Sequence, residues 1–590
     1  MGEVAHSNKA VIHKRRVSML EKIGAFLRNI LESIKRDRYS KILLAILLTS
    51  FIIRIWGIWN IEQTDEFNEV FEALKVDSGH LNLERWNKKL LIYILAVEYG
   101  ILFGAGWVLG IYSSVSDFAS KIVINMAHLF IIGRVTSAVF GTLMVFVTYL
   151  IGKRLYSRKV GLIGALFLCF NFVHVEHSSL VLVDITMALM VVCSFYFSTL
   201  LMDEGRGRWY FLSGLFGGLA IVSKIPSIFI LVSMIIAHVL NSAKDERFSL
   251  GVLKKRELIY MIGGIVSGVI LGNPAILIGL PKYFEWLRSL FGAYQGTADI
   301  RDYWTRVNGY KFYFFSLYRN LGLPLLIFML LSFFYFLFKP KKEVLLTLSF
   351  PVPFYFVMAN SKWVLTDRYM IPIYPFLSVL AAAFLVEIMK RLRNRKRMVV
   401  ASLLMLMLIT PVVKVALFKI SLLEPNTRYW AKEWVEANIP SGSKILIDSG
   451  RTINTSSPPI FSSRENIQAM MGRVETLGPG QTYDDSRIVD SNSVIYFRYL
   501  LENLPEPNYN LTSTELGRKV ESIEYYRKNA YEYVITSSAV TWLLASQKWC
   551  ERYPKAASFY RALDNQFELI KEFTPSLTRT GPTIRIFKVR

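Results

Sequence analysis

At 590 residues, 53% of them hydrophobic and 14% aromatic, the chain is too apolar to be one soluble domain. The net charge of +24 does not indicate a nucleic-acid partner, because most basic residues lie in short stretches between apolar runs, as on a cytoplasmic membrane face. What remains is a polytopic membrane protein with a soluble module, and Cys550, alone in the polar C-terminal part, excludes a disulfide within that module.

Residues 1–40 are basic and contain no long apolar stretch, so no cleavable signal peptide is expected. Val17, Leu20, Ile23, Phe26, Leu27, Ile30, Leu31 and Ile34 have amphipathic spacing, which predicts a cytoplasmic helix along the membrane or a solubilising arm. Lys41 to Trp59 can span a bilayer core of about 30 Å and ends on the interfacial pair Trp56 and Trp59. Asp65 and Glu66 follow, where the chain emerges on the side opposite the N-terminus.

Further spans are expected near 128–151, 160–173, 180–201, 209–223, 226–241, 258–278, 314–338, 343–359, 369–389 and 398–418. Some are shorter than about 20 residues, but the charge pattern requires them. Lys153, Arg154, Arg158 and Lys159 fill one loop, Arg206 and Arg208 the next basic one, then Lys244 to Arg256, Lys339 to Lys342, and Lys390 to Arg397. Every second loop is basic, so eleven spans with the N-terminus inside place the C-terminus outside. A crossing at Leu90–Tyr112 would reverse all later basic loops. With Glu98, Gly100, Gly104 and Gly106 inside it, that stretch is read as helices in or under the outer interface, within a long first external loop 60–127.

A second external loop, 279–313, has the Trp and Tyr content of the interface. From Glu424 the hydropathy drops. The expected organisation is a basic segment 1–40, a membrane domain 41–419 and an extracytoplasmic α/β domain 420–590, with a helix over Arg428–Ala437 and strands at Lys444–Asp448, Tyr533–Thr536 and Thr583–Phe587. Asn454-Thr455-Ser456 and Asn510-Leu511-Thr512 fit the glycosylation sequon.

By this topology four polar sets reach the outer surface: Asp65 with Glu66; Asp184 preceded by His174, His177 and Ser178; the cations Lys88 or Lys89, Arg134, Lys224 and Arg368; and Tyr369. Each has a bland reading alone, since Arg134 and Arg368 could snorkel, Asp184 could favour its helix start, and Lys224 could sit in a tight turn. Outer-side cations are exceptions to the basic-inside pattern, however. Carboxylates converging with them suit a lipid-linked phosphate, where Arg and Lys neutralise the phosphodiester and a carboxylate accepts the proton of a hydroxyl. Asp65, Glu66, Asp184 and His174 could hold a divalent ion, yet cations alone can neutralise one phosphate, so no obligatory metal is expected.

Asp65-Glu66 after the first span, and Arg134-Val135-Thr136-Ser137-Ala138 opening the second, resemble the C-type glycosyltransferase superfamily, in the branch of protein O-mannosyltransferases and lipid A aminoarabinose transferases. His174, Ser178 and Asp184 stand at that family's spacing. Gly217-Gly218-Leu219-Ala220 before Lys224, Arg368-Tyr369-Met370-Ile371-Pro372 before Pro375, and Thr427-Arg428-Tyr429-Trp430-Ala431 are similar too, so the likeness covers about 40–440. It implies inverting transfer of a sugar, a hexose such as mannose or a relative, from a polyprenyl- or dolichyl-phosphate donor to a protein, lipid or polymer acceptor on the outer face. Asp65 would be the general base, and Asp184 and Glu66 further acidic site residues. Lys88, Arg134, Lys224, Arg368 and Tyr369 would hold the donor phosphate. Lys88-Lys89-Leu90-Leu91 stands where the lipid A branch has Lys-Pro-Pro-Leu. The competing readings are a transporter or flippase of a lipid-linked or anionic solute, and an oligosaccharyltransferase-like enzyme, for which residues 420–590 lack a Trp-Trp-Asp-Tyr-Gly motif.

Overall fold

A computed structural model describes residues 37–61, 64–77, 89–242, 256–296, 308–339, 341–360, 365–391, 396–449, 456–476 and 494–589. The expected N-terminal amphipathic helix, Lys88 and the sequon at Asn454 lie outside these residues.

Apolar runs become helices: α1 (Arg38–Ile55), α2 (Thr64–Asp77), α3 (Lys89–Val108), α4 (Val115–Ile124), α5 (Ala127–Leu155), α6 (Arg158–Cys169), α7 (Phe172–His177), α8 (Val183–Glu204), α9 (Gly207–Ser223), α10 (Ile230–Ser242), α11 (Glu257–Gly272) and α12 (Ile276–Gly296). They continue as α13 (Gly309–Leu337), α14 (Lys342–Leu348), α15 (Pro351–Asn360), α16 (Tyr374–Arg391), α17 (Lys396–Ile420) and α18 (Thr427–Asn438). Short 3-10 helices, Ile225–Phe229 and Asp367–Ile373, lead into α10 and α16.

Among the described residues, eight helical stretches are long and apolar enough to cross a membrane, or nine if α11 and α12, bent by 98°, form one broken span. The eleven expected spans and this smaller number differ for physical reasons. Helix α1 carries Arg38, Lys41 and Arg54, α6 has only 12 residues before the chain breaks into α7, and α9 has 17. Arg158, at the head of α6, pairs with Asp37 before α1, while the far ends, Arg54 and His174, meet each other. Conversely α3, expected not to cross, is a single 20-residue helix that passes on length and composition. Among its contacts are Tyr93 with Asn273 beyond α11, Leu90 with Leu219 and Val222 near the end of α9, and Tyr99 with Leu129 at the start of α5. Glu98 also accepts from Thr136 within α5.

The described parts of the expected basic loops gather at the opposite end. Arg154 pairs with Asp203 at 3.1 Å, Lys342 approaches the same carboxylate at 3.8 Å, and Arg391 donates to Tyr335. Between the ends, α9 and α11 touch backbone to backbone. A Cβ at Gly214 or Gly218 would overlap the carbonyls of Met261 and Ile265, and one at Gly264 or Gly268 those of Phe211 and Leu215. Glycines four apart on both helices allow this approach.

The C-terminal part carries a six-stranded sheet in the order β2-β3-β1-β4-β6-β5. Its strands are β1 (Lys444–Ile447), β2 (Phe461–Ser462), β3 (Asn508–Ser513), β4 (Tyr533–Ser537), β5 (Glu568–Phe573) and β6 (Ile584–Lys588). The first four in spatial order are parallel and the last two pairings antiparallel. Helices α19 (Arg464–Glu475) and α20 (Val494–Glu502) pack together and reach the first loop, where Tyr496 stands edge-on to Phe71 of α2 at 5.6 Å and Val123 of α4 joins their apolar cluster.

Candidate functional site

Four expected residues, supplied by four separate elements, form one connected charge network at the α3 end. Asp65, in the first turn of α2, accepts from Arg368 at 2.6 Å. The Arg368 Nε lies 3.8 Å from Asp184, in the first turn of α8, and Asp184 in turn accepts from Lys224 at 2.6 Å. Lys224, the residue between α9 and the following 3-10 helix, also stands 4.0 Å from the centre of the Tyr369 ring, a cation-π contact that orients it. The carboxylates differ in access. The Asp65 side chain is 41% exposed, whereas those of Asp184 and Glu66 are 3% and 0% exposed. Buried Asp184 thus faces two cations that themselves keep a face to solvent, and Asp65 is the more solvent-open acid of the network.

Glu66 and Arg134 behave differently from expectation. Glu66 is turned away from Asp65 and takes a two-pronged bond from Arg134, Nε to Oε1 at 2.8 Å and NH2 to Oε2 at 2.7 Å. The remaining Arg134 nitrogen donates to the Ile58 carbonyl at 2.6 Å, and the Val181 amide donates to Glu66 at 2.8 Å. Arg134 is thus committed to a buried carboxylate rather than standing free for a phosphate, and Glu66 has no access to a reacting group. Together they tie α2 to the exit of α1, to α5 and to the turn before α8.

His174 and Ser178 also face away from the network. The His174 Nδ1 lies 2.6 Å from Arg54 NH2, and since a guanidinium only donates, this nitrogen accepts and the ring proton sits on Nε2, beside the Met144 sulfur. Ser178 donates to the His174 carbonyl. Arg54 and Lys419 are the residues that sequence reasoning missed. Arg54 is fully buried, held by the Ser50 carbonyl and hydroxyl, and Lys419 donates to Ser179 and to the Trp56 carbonyl. They clamp the α7 turn between α1 and α17. The signal was present, since a charged residue inside an apolar run rarely faces lipid. Asp65, Glu66, Asp184 and His174 do not converge, and among the described residues no group of three or more His, Cys, Asp or Glu side chains is placed to hold a metal. Lys88 lies outside the described residues, while its neighbour Lys89 is buried at the head of α3.

Residues 120–271 match a family described as dolichyl-phosphate-mannose-protein mannosyltransferase. No curated protein matches significantly. Among solved structures, the apo oligosaccharyltransferase of Archaeoglobus fulgidus aligns at a TM-score of 0.50 with 12% identity, over 85% of this chain and 70% of that one. ArnT from Cupriavidus metallidurans, bound to undecaprenyl phosphate, aligns at 0.46 with 12% identity, over 93% of this chain and 97% of its own.

Proposed function

We propose that this chain is a C-type integral-membrane glycosyltransferase that transfers a single sugar, mannose or a related hexose, from a polyprenyl-phosphate donor to an acceptor hydroxyl, a reading supported by the family match over residues 120–271 and by the fold. The observation that carries this reading is the pairing of one exposed carboxylate, Asp65, with two half-open cations, Arg368 and Lys224, held on a buried one. The acceptor O–H gives its proton to Asp65 as its oxygen bonds to the anomeric carbon. The bond from that carbon to the phosphate oxygen breaks, and its electron pair leaves with the lipid phosphate. Arg368 and Lys224 neutralise the charge that develops there, Tyr369 keeps Lys224 in place, and Asp184 positions both cations. Displacement from the opposite face inverts the anomeric centre. Lys88 keeps its expected role as a further phosphate ligand.

The reaction would occur at the extracytoplasmic face, with residues 420–590 on that side and the N-terminus in the cytoplasm, because the basic loops gather at the other end. Replacing Asp65 with Asn is expected to lower transfer from a labelled polyprenyl-phosphate mannose by about a hundredfold to ten-thousandfold. Undiminished transfer by a folded variant would refute the mechanism. A second reading rests on the likeness of fold to an oligosaccharyltransferase. In that case the same network would serve a lipid-linked oligosaccharide, and the mass added to the acceptor distinguishes one hexose from many.

A further inference from the structure

The end of the bundle away from this network holds a groove that the proposed reaction does not use. It opens where the first turn of α1, the head of α6 and the last turn of α16 meet, and it encloses about 470 Å³. Its rim is cationic, with Arg158, Lys159 and Lys390, and its floor is apolar, with Val386 and Met389. The rim charges are incompletely spent. Arg158 meets Asp37 at 3.4 Å and leans on the Tyr39 ring, Lys390 meets Glu387 at 3.3 Å, and Lys159 makes no ion pair among the described residues. All three side chains are exposed, whereas Val386 is buried.

The basic-inside bias explains cations at this end of the helices. It does not explain a concave site that sets three of them around an apolar floor. A free phosphate would satisfy the rim and leave the floor wet. An acidic phospholipid matches both parts, because its phosphate is anionic and the glycerol and acyl segments beside it are apolar. The site also stands at the end of α16, part of a stretch long and apolar enough to cross a bilayer, where a lipid headgroup would meet it. We propose that this groove binds one acidic phospholipid, its headgroup phosphate on Arg158, Lys159 and Lys390 and its first acyl carbons over Val386 and Met389. The proposal stands apart from the sugar-transfer reading, since none of these residues belongs to the charge network.

The test uses the full chain in detergent, titrated with phosphatidylglycerol or phosphatidylcholine of identical acyl chains, with bound lipid counted by native mass spectrometry and thermal unfolding followed in parallel. Phosphatidylglycerol is expected to bind and to raise the melting midpoint more than phosphatidylcholine does. The Arg158→Gln/Lys159→Gln/Lys390→Gln variant should bind it about a hundredfold more weakly. Met389→Glu, which leaves every cation in place but puts a carboxylate in the floor, should also lose the lipid and provides an independent test if the triple variant folds poorly. Equal binding of the two lipids, unchanged phosphatidylglycerol binding by both variants, or equal stabilisation by inorganic phosphate or glycerol phosphate would overturn the proposal.

Discussion

Adjacent carboxylates can have opposite roles when they leave a helix in different directions. Asp65 and Glu66 both sit in the first turn of α2, yet one is open to solvent and the other is enclosed by Arg134 and the Val181 amide. Glu66→Gln would leave the Arg134 guanidinium buried beside a neutral amide, and breaking a buried pair from one side costs about 3–5 kcal/mol. Glu66→Gln is therefore expected to lower the thermal stability or yield of the purified protein. Asp65→Asn, at a part-buried pair whose carboxylate is still 41% exposed, should melt nearer the parent than Glu66→Gln while losing transfer. Equal stability of the two variants would show that Glu66 does not have the structural role assigned to it. The division within the pair could be anticipated from sequence only as a preference for Asp65, because Arg134 lies 68 positions from Glu66 and only the folded chain brings them together. Asp184, Lys224 and Arg368 were legible because each stands at the end of an expected span opposite the basic loops.

Helix packing here depends on glycine where no side chain fits. Gly214 and Gly218 on α9 face Gly264 and Gly268 on α11, so the two backbones approach to a distance that excludes even a methyl group. Gly264→Leu should separate the pair and shift Lys224, which follows α9 directly, away from Asp184. Overpacking of this kind costs about 1–3 kcal/mol, and the expected result is a lower unfolding midpoint with a rise in KM for the lipid donor. An exposed glycine such as Gly263, with nothing near its Cβ position, should tolerate the same change without effect on either measurement. The spacing of four was visible in the sequence, whereas the identity of the partner helix was not. The sheet shows the same limit. Strands β1, β4 and β6 announced themselves as apolar runs, but β2 is a two-residue edge, β5 an exposed edge with alternating charge and a bulge, and β3 largely polar, so hydropathy pointed to none of them. The span expected at 160–173 ends two residues into α7, and the break at Phe170 and Asn171 creates the turn that Arg54 and Lys419 clamp.

Over the whole molecule, charge is divided between two ends. Cations in the loops at one end pair with few carboxylates, and at the other end cations and carboxylates interlock around Asp65. The segment carrying α2 and α4 connects the second end to the C-terminal part. Helix α2 carries Asp65 in its first turn and Phe71 one and a half turns on, and Phe71 meets Tyr496 of α20, while Val123 of α4 enters the cluster of Ile467, Phe497 and Leu500. Those contacts bear on the position of the proposed base, because they add to the Asp65–Arg368 and Glu66–Arg134 pairs and the packing on α3 and Phe130 that hold α2. Removing the ring in Tyr496→Ala forfeits an aromatic contact worth about 0.5–1.5 kcal/mol beyond its buried area, too little to unfold the bundle but enough to loosen α2. Transfer is then expected to fall several-fold in kcat, with donor KM little changed because Arg368 and Lys224 are held from the bundle side. Faster hydrogen exchange over residues 64–77, with residues 183–223 unaffected, would locate the loss in the loop. Unchanged exchange and turnover would mean that the C-terminal part rests on the loop without steadying it.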